Sequence, residues 1–131
     1  MYTGICCIYL LFSASLPHKI PAMTKRLDYL LQLLESTPGD AFTLFAIAKE
    51  YEGAGNDDTA LEWYEKLRAL HPDYVGLYYH LGKLYERRGN LPEALKAYQT
   101  GMSAARKANN QHAFNELSTA KLSIADPDED E

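Results

Sequence analysis

The chain repeats itself at an offset of 34 residues, and this constrains its fold more than any local motif does. Setting residues 41–74 over 75–108 pairs Lys49 with Lys83, Tyr51 with Tyr85, Glu52 with Glu86, Gly55 with Gly89, Asn56 with Asn90, Ala60 with Ala94, Leu61 with Leu95 and Tyr64 with Tyr98. Pro38 and Pro72 recur at the same spacing, while Ile47 opposite Leu81 and Ala48 opposite Gly82 keep their chemical character. So many identities in one register mark a duplicated structural unit. A unit this short cannot bury an apolar face by itself, so neighbouring units must cover it, which points to a short stack of helices.

Each unit reads as two helices. Tyr78, Leu81, Gly82 and Tyr85 fall at i, i+3, i+4 and i+7, as do Leu44, Ile47, Ala48 and Tyr51 one unit earlier, so each set forms an apolar stripe on one helical face. Gly89 is placed to adopt the left-handed conformation that ends a helix, and Asn90 to accept from the free amides of the next one. Glu93 stands where it would complete a capping box, and Pro92 fits the first turn. In the second helix Leu91, Ala94, Leu95 and Tyr98 supply the answering stripe, with Gly82 and Ala94 small enough for two backbones to approach closely.

The pattern Tyr78-x-x-Leu81-Gly82-x-x-Tyr85, Gly89-Asn90, Ala94-x-x-x-Tyr98 closely resembles the tetratricopeptide repeat, a family described by this motif and this period. The first unit fits it less closely, with Ala48 in place of the glycine. The resemblance covers 41–108 as two full repeats and implies an all-α fold, a short right-handed superhelix of antiparallel helix pairs with about six helices. In the second repeat Arg106 occupies the place of the closing proline, which predicts a longer second helix running towards Asn109 and Asn110.

Flanking segments should cap the stack. Upstream, residues 25–37 place Leu27, Leu30, Leu31 and Leu34 on one face before Thr37-Pro38-Gly39. Downstream, residues 111–124 place Ala113, Phe114, Leu117 and Ala120, with Leu122 or Ile124, on a final helix with a more polar outer face. The domain is therefore expected over 23–125, followed by an acidic tail at 126–131. Residues 1–22 differ from all that follows: the run ICCIYLLFSASL is too short to span a membrane and lacks a preceding basic region. Three readings stay open for it: a stretch outside the working domain with Met23 as the functional start, a poor secretion signal, or a buried N-terminal element. The first implies a cytoplasmic protein.

Composition removes several function classes. The net charge of −5 comes from the tail, whose last six residues carry five acids, and the remainder is balanced. Without a basic face, nucleic-acid binding loses its main source of affinity. The two cysteines, Cys6 and Cys7, are adjacent, and the four histidines have no ligand spacing, so no metal site or cofactor is expected. No activated nucleophile, paired acid or phosphate-cradling loop stands out, so no catalysis is expected either.

What remains is the other face of each first helix. Phe42, Phe45, Lys49 and Glu52 form one stripe, and Gly76, Tyr79, Lys83 and Glu86 repeat it. In the family that the chain resembles, these faces line a concave groove. The resemblance implies a partner-binding groove built from Phe42, Phe45, Lys49, Glu52, Tyr79, Lys83 and Glu86, taking a protein segment or helix with acidic character. A family clamp for terminal carboxylates would need basic and asparagine groups where this chain has Phe45, Lys49, His80, Asn110 and Phe114, so that mode is not supported. Two further roles agree with the same residues: self-association into a homo-oligomer, and a non-catalytic accessory subunit.

Overall fold

The computed structural model describes residues 24–125, and the expectations for residues 1–22 and for the acidic tail lie outside them. Six helices follow in order: α1 (Lys25–Ser36), α2 (Ala41–Gly53), α3 (Asp57–Leu70), α4 (Gly76–Arg87), α5 (Leu91–Lys107) and α6 (Gln111–Ile124). There is no strand among the described residues. Each duplicated unit is a helix pair, α2 with α3 and α4 with α5, while α1 and α6 cover the two ends.

The helix starts are written into the sequence. Side chains of Thr24, Asp40, Asn56, Asn90 and Asn110 each accept a hydrogen bond from an amide in the first turn that follows, and only α4 begins without such a cap. The turns within the units also match expectation. Gly55 and Gly89 have φ of 77° and 74°, where a side chain is disfavoured, and the following asparagine amides donate back to the carbonyls of Tyr51 and Tyr85. This second contact overturns the expected capping box. The Asn90 N–H already closes the preceding helix, so Glu93 is left to bond Lys96 at 2.9 Å instead. Without a proline at residue 106, α5 runs to Lys107 and stops only where Asn109 takes φ of 52°.

The stack is held by one main apolar cluster and a smaller one at its N-terminal end. Leu44, Ala48, Tyr64, Leu67, Tyr78, Leu81, Ala94, Tyr98 and Leu117 are buried in the first, while Leu27 and Leu30 of α1 meet Ala46 and Ile47 of α2 in the second. Gly82 and Gly101 mark the tightest approaches: a methyl group at Gly82 would overlap the Tyr98 ring, and one at Gly101 would sit 2.5 Å from the Cβ of Tyr78. One further expectation needs correction. Leu91 is substantially exposed and lies outside the stripe, because the chain is only just entering α5 there. Leu122 points to solvent, and Ile124 takes the packing role. Tyr51 and Tyr85 are half-buried, unlike the fully buried Tyr64 and Tyr98. Phe45 packs towards the second repeat, whereas Ala46 and Ile47 meet α1.

Candidate functional site

The first helices of the units lie side by side on one face of the stack. Phe45 and Lys49 of α2 touch His80 of α4, and Tyr79 and Lys83 of α4 share a cavity with α6. The stripe read from the sequence is therefore brought together, although its members play unequal parts. Phe42 is 67% exposed at one end. Phe45 is half-buried, its ring centroid 5.3 Å from Tyr74, 6.0 Å from Tyr64 and 5.6 Å from His80. Tyr79 is also half-buried, edge-on to His80 at 5.7 Å, with the Lys83 ammonium 5.9 Å from its ring centre.

The acidic members serve the fold first. Glu52 is half-buried and accepts the Tyr64 hydroxyl at 2.7 Å, while His80 Nδ1 lies 3.2 Å away and Lys49 Nζ 3.1 Å away. Burial pushes its carboxyl up, but hydrogen bonds from His80, Tyr64 and Lys49 and the charge of His80 outweigh it, leaving Glu52 held down at about 2. Its partner Tyr64 is pushed well above the usual phenol range by burial and by that carboxylate. One repeat later Glu86 accepts the Tyr98 hydroxyl and pairs with Lys83, whose Nζ lies 3.1 Å and 3.2 Å from its two oxygens. Tyr98 is likewise pushed upward by burial and by Glu86. Lys49 and Lys83 therefore each enter the face already paired with a carboxylate.

The sequence reading passed over two features of this face. His80 is its central group, placed among Phe45, Tyr64, Tyr79, Lys49 and Glu52, and stacked parallel to the Tyr64 ring at 6.0 Å between centroids. In the sequence it stands out only as one of four histidines without ligand spacing and as a residue unsuited to a carboxylate clamp. The second feature is an open cavity of about 390 Å³ between α4 and α6, with Tyr79, Lys83, His112, Asn115, Glu116 and Thr119 among its lining. A signal for it existed in the register. Residues 78, 81, 82 and 85, buried or half-buried in α4, correspond at the 34-residue offset to His112, Asn115, Glu116 and Thr119, all exposed in α6. Polar residues in those positions leave that side of α6 wet.

No group of three or more histidine, cysteine or carboxylate residues able to hold a metal occurs among the described residues. No described helix is long and apolar enough to cross a membrane. Tyr64, Tyr85 and Tyr98 donate to Glu52, Glu65 and Glu86 within the stack. The face can offer rings, amides and paired charges to a bound surface.

Comparison with known proteins agrees with this architecture. The tetratricopeptide repeat family profile matches residues 51–114. The crystal structure of a tetratricopeptide repeat domain protein from Salinibacter ruber is 44% identical and superposes with a TM-score of 0.63, over 65% of this chain and 96% of that one. Two more distant structures share the fold. A Bordetella parapertussis protein is 22% identical with a TM-score of 0.67, covering 78% of this chain and 89% of its own. The Sgt2 tetratricopeptide repeat domain from Aspergillus fumigatus is 23% identical with a TM-score of 0.63, covering 80% and 76%. No curated protein matches the sequence. A 34-residue register, helix pairs closed by Gly-Asn turns and the close match to the Salinibacter ruber domain together place this chain in the tetratricopeptide repeat family.

Proposed function

We propose that the chain is a protein-binding scaffold, holding a segment of another protein along the face of α2, α4 and α6 and performing no catalysis there. Tetratricopeptide repeats generally mediate protein–protein interactions, and stacked repeats present extended surfaces suited to this. The observation that carries the reading is the aromatic line on this face. Phe42 is 67% exposed, and Phe45 and Tyr79 are partly exposed. Aromatic side chains left open on a rigid helical face are anchors that a partner can bury. The contact residues proposed are Phe42, Phe45, Lys49, Glu52, Tyr79, Lys83 and Glu86, with His80 added.

The test is capture of a partner from the native lysate, its identification by mass spectrometry and calorimetric titration against variants. Tyr79→Ala is expected to weaken binding by about 1–3 kcal/mol while leaving the melting temperature nearly unchanged. A variant that binds as tightly as the parent chain would remove Tyr79 from the interface. Self-association is a second reading, favoured by Tyr29 on the first helix and Leu122 on the last, which are 63% and 72% exposed. Light scattering across a concentration series separates the two: a monomer at high concentration supports a foreign partner.

A further inference from the structure

Within the proposed groove the two ends differ in chemistry. Around α2 the open surface is aromatic, but the cavity between α4 and α6 sets the Tyr79 ring opposite a polar wall that includes His112, Asn115 and Glu116. Its charges do not balance. Lys83 is neutralised by both oxygens of Glu86, whereas Glu116 is exposed and has no ion pair or side-chain hydrogen bond with any described residue. Asn115 presents its carbonyl oxygen, which accepts from Gln111 at 2.8 Å and has room for a second donor. An aromatic ring, an unpaired carboxylate and an amide oxygen around one cavity are complementary to a cation that carries several N–H donors.

We infer that the α4–α6 cavity receives a basic side chain of the bound partner, an arginine in preference to a lysine, with its guanidinium between Tyr79 and Glu116. This rests on the groove reading and specifies it. It also reverses the sign suggested by counting lysines in the sequence, because Lys49 and Lys83 arrive paired and Glu116 does not. An incoming carboxylate would meet Glu116, and the one lysine of the lining, Lys83, is already paired with Glu86. A guanidinium has five donors and a flat face, so it can bond Glu116 and Asn115 while lying against a ring. The cavity, at about 390 Å³, is large enough for one such side chain and its bridging waters.

The experiment uses the full chain and two acetylated, amidated pentapeptides, identical except that the central residue is arginine in one and glutamate in the other, flanked by leucine and alanine. Amide and side-chain NMR shifts are followed through each titration. The arginine peptide should move the resonances of Tyr79, Asn115, Glu116 and Thr119 and bind about fivefold more tightly than the glutamate peptide at low salt. Glu116→Gln, at an exposed position that does not threaten folding, should abolish most of that preference, and Lys83→Gln should enlarge it. Equal shifts from both peptides, or a preference unchanged in Glu116→Gln, would overturn the charge assignment and leave the groove reading standing. Tighter binding of the glutamate peptide would overturn it in favour of an acidic partner. If neither peptide disturbs α4 and α6 at millimolar concentration, the groove reading falls along with the inference.

Discussion

The two repeats share one device and use it differently. In each, a glutamate at the end of the first helix accepts the hydroxyl of a buried tyrosine on the second and pairs with a lysine one turn back: Glu52 with Tyr64 and Lys49, Glu86 with Tyr98 and Lys83. Glu52 also receives His80 and, at 3.5 Å, Arg87 from the following repeat. Glu86 has no such visitors among the described residues; the positions equivalent to His80 and Arg87 hold Phe114 and Lys121 of the terminal helix α6. The same holds for the clasp in which Arg87 and Arg88 grip Asp57 and Asp58, since the counterparts of those acids are Leu91 and Pro92. The lesson is that the within-repeat bonds hold a helix pair together, whereas the between-repeat bonds exist only where a second unit follows.

The largest effect should come from the packing difference between the repeats. Ala48 carries a methyl group in the position where Gly82 has none, and at Gly82 the Tyr98 ring fills the space that a methyl group would need. Gly82→Leu should cost about 3 kcal/mol through overpacking, seen as a lower midpoint in urea unfolding, while Ala48→Gly should cost only about 1 kcal/mol through backbone entropy. Equal costs would mean that the two pairs are equally tight.

Next comes the glutamate pair. Glu52→Gln should destabilise by about 2 kcal/mol and Glu86→Gln by about 1 kcal/mol, because Glu52 serves two repeats and the amide cannot replace its charge-assisted bonds. A pH series sharpens this. The folded value of Glu52 is depressed from 4.5 to about 2, so folding favours the ionised form. Its stabilisation is fully present above about pH 4.5 and is lost as pH falls towards 2. In that window thermal melts of the parent chain should fall further than those of Glu52→Gln. Parallel curves would show that the carboxylate is not the acid-sensitive joint.

The smallest effect belongs to the exposed clasp. Arg88→Ala, which removes the pair with Asp58, should cost about 0.5 kcal/mol or less, and the cost should vanish in about 1 M salt. A larger, salt-independent loss would make the between-repeat contact an integral part of the core.

Most of the fold was legible in the residues, because local chemistry and the period agree. Left-handed glycines followed by asparagines state where one helix ends and the next begins, and the 3.6-residue stripes state which faces meet. Even the longer α5 followed from a missing proline at residue 106. The candidate site was legible only as a list of positions on one face. That Phe42, Phe45 and Tyr79 share a surface comes from the period, but that Phe45 turns towards His80 does not.

What the sequence by itself determined is therefore the periodic part: helix limits, the tight glycine at residue 82 and the neighbours that each unit must cover. These depend on backbone conformation and side-chain size, which act over one or two turns and recur with the register. The tertiary structure decided the charges. Whether Lys49, Lys83 or Glu116 is available to a partner depends on which carboxylate or cation lies within about 4 Å, since interactions between exposed charges weaken steeply with distance in water. Glu52 finds four side chains across two repeats and Glu116 finds none among the described residues, because helix packing brings distant residues together on one side of the stack and leaves the other side of α6 uncovered.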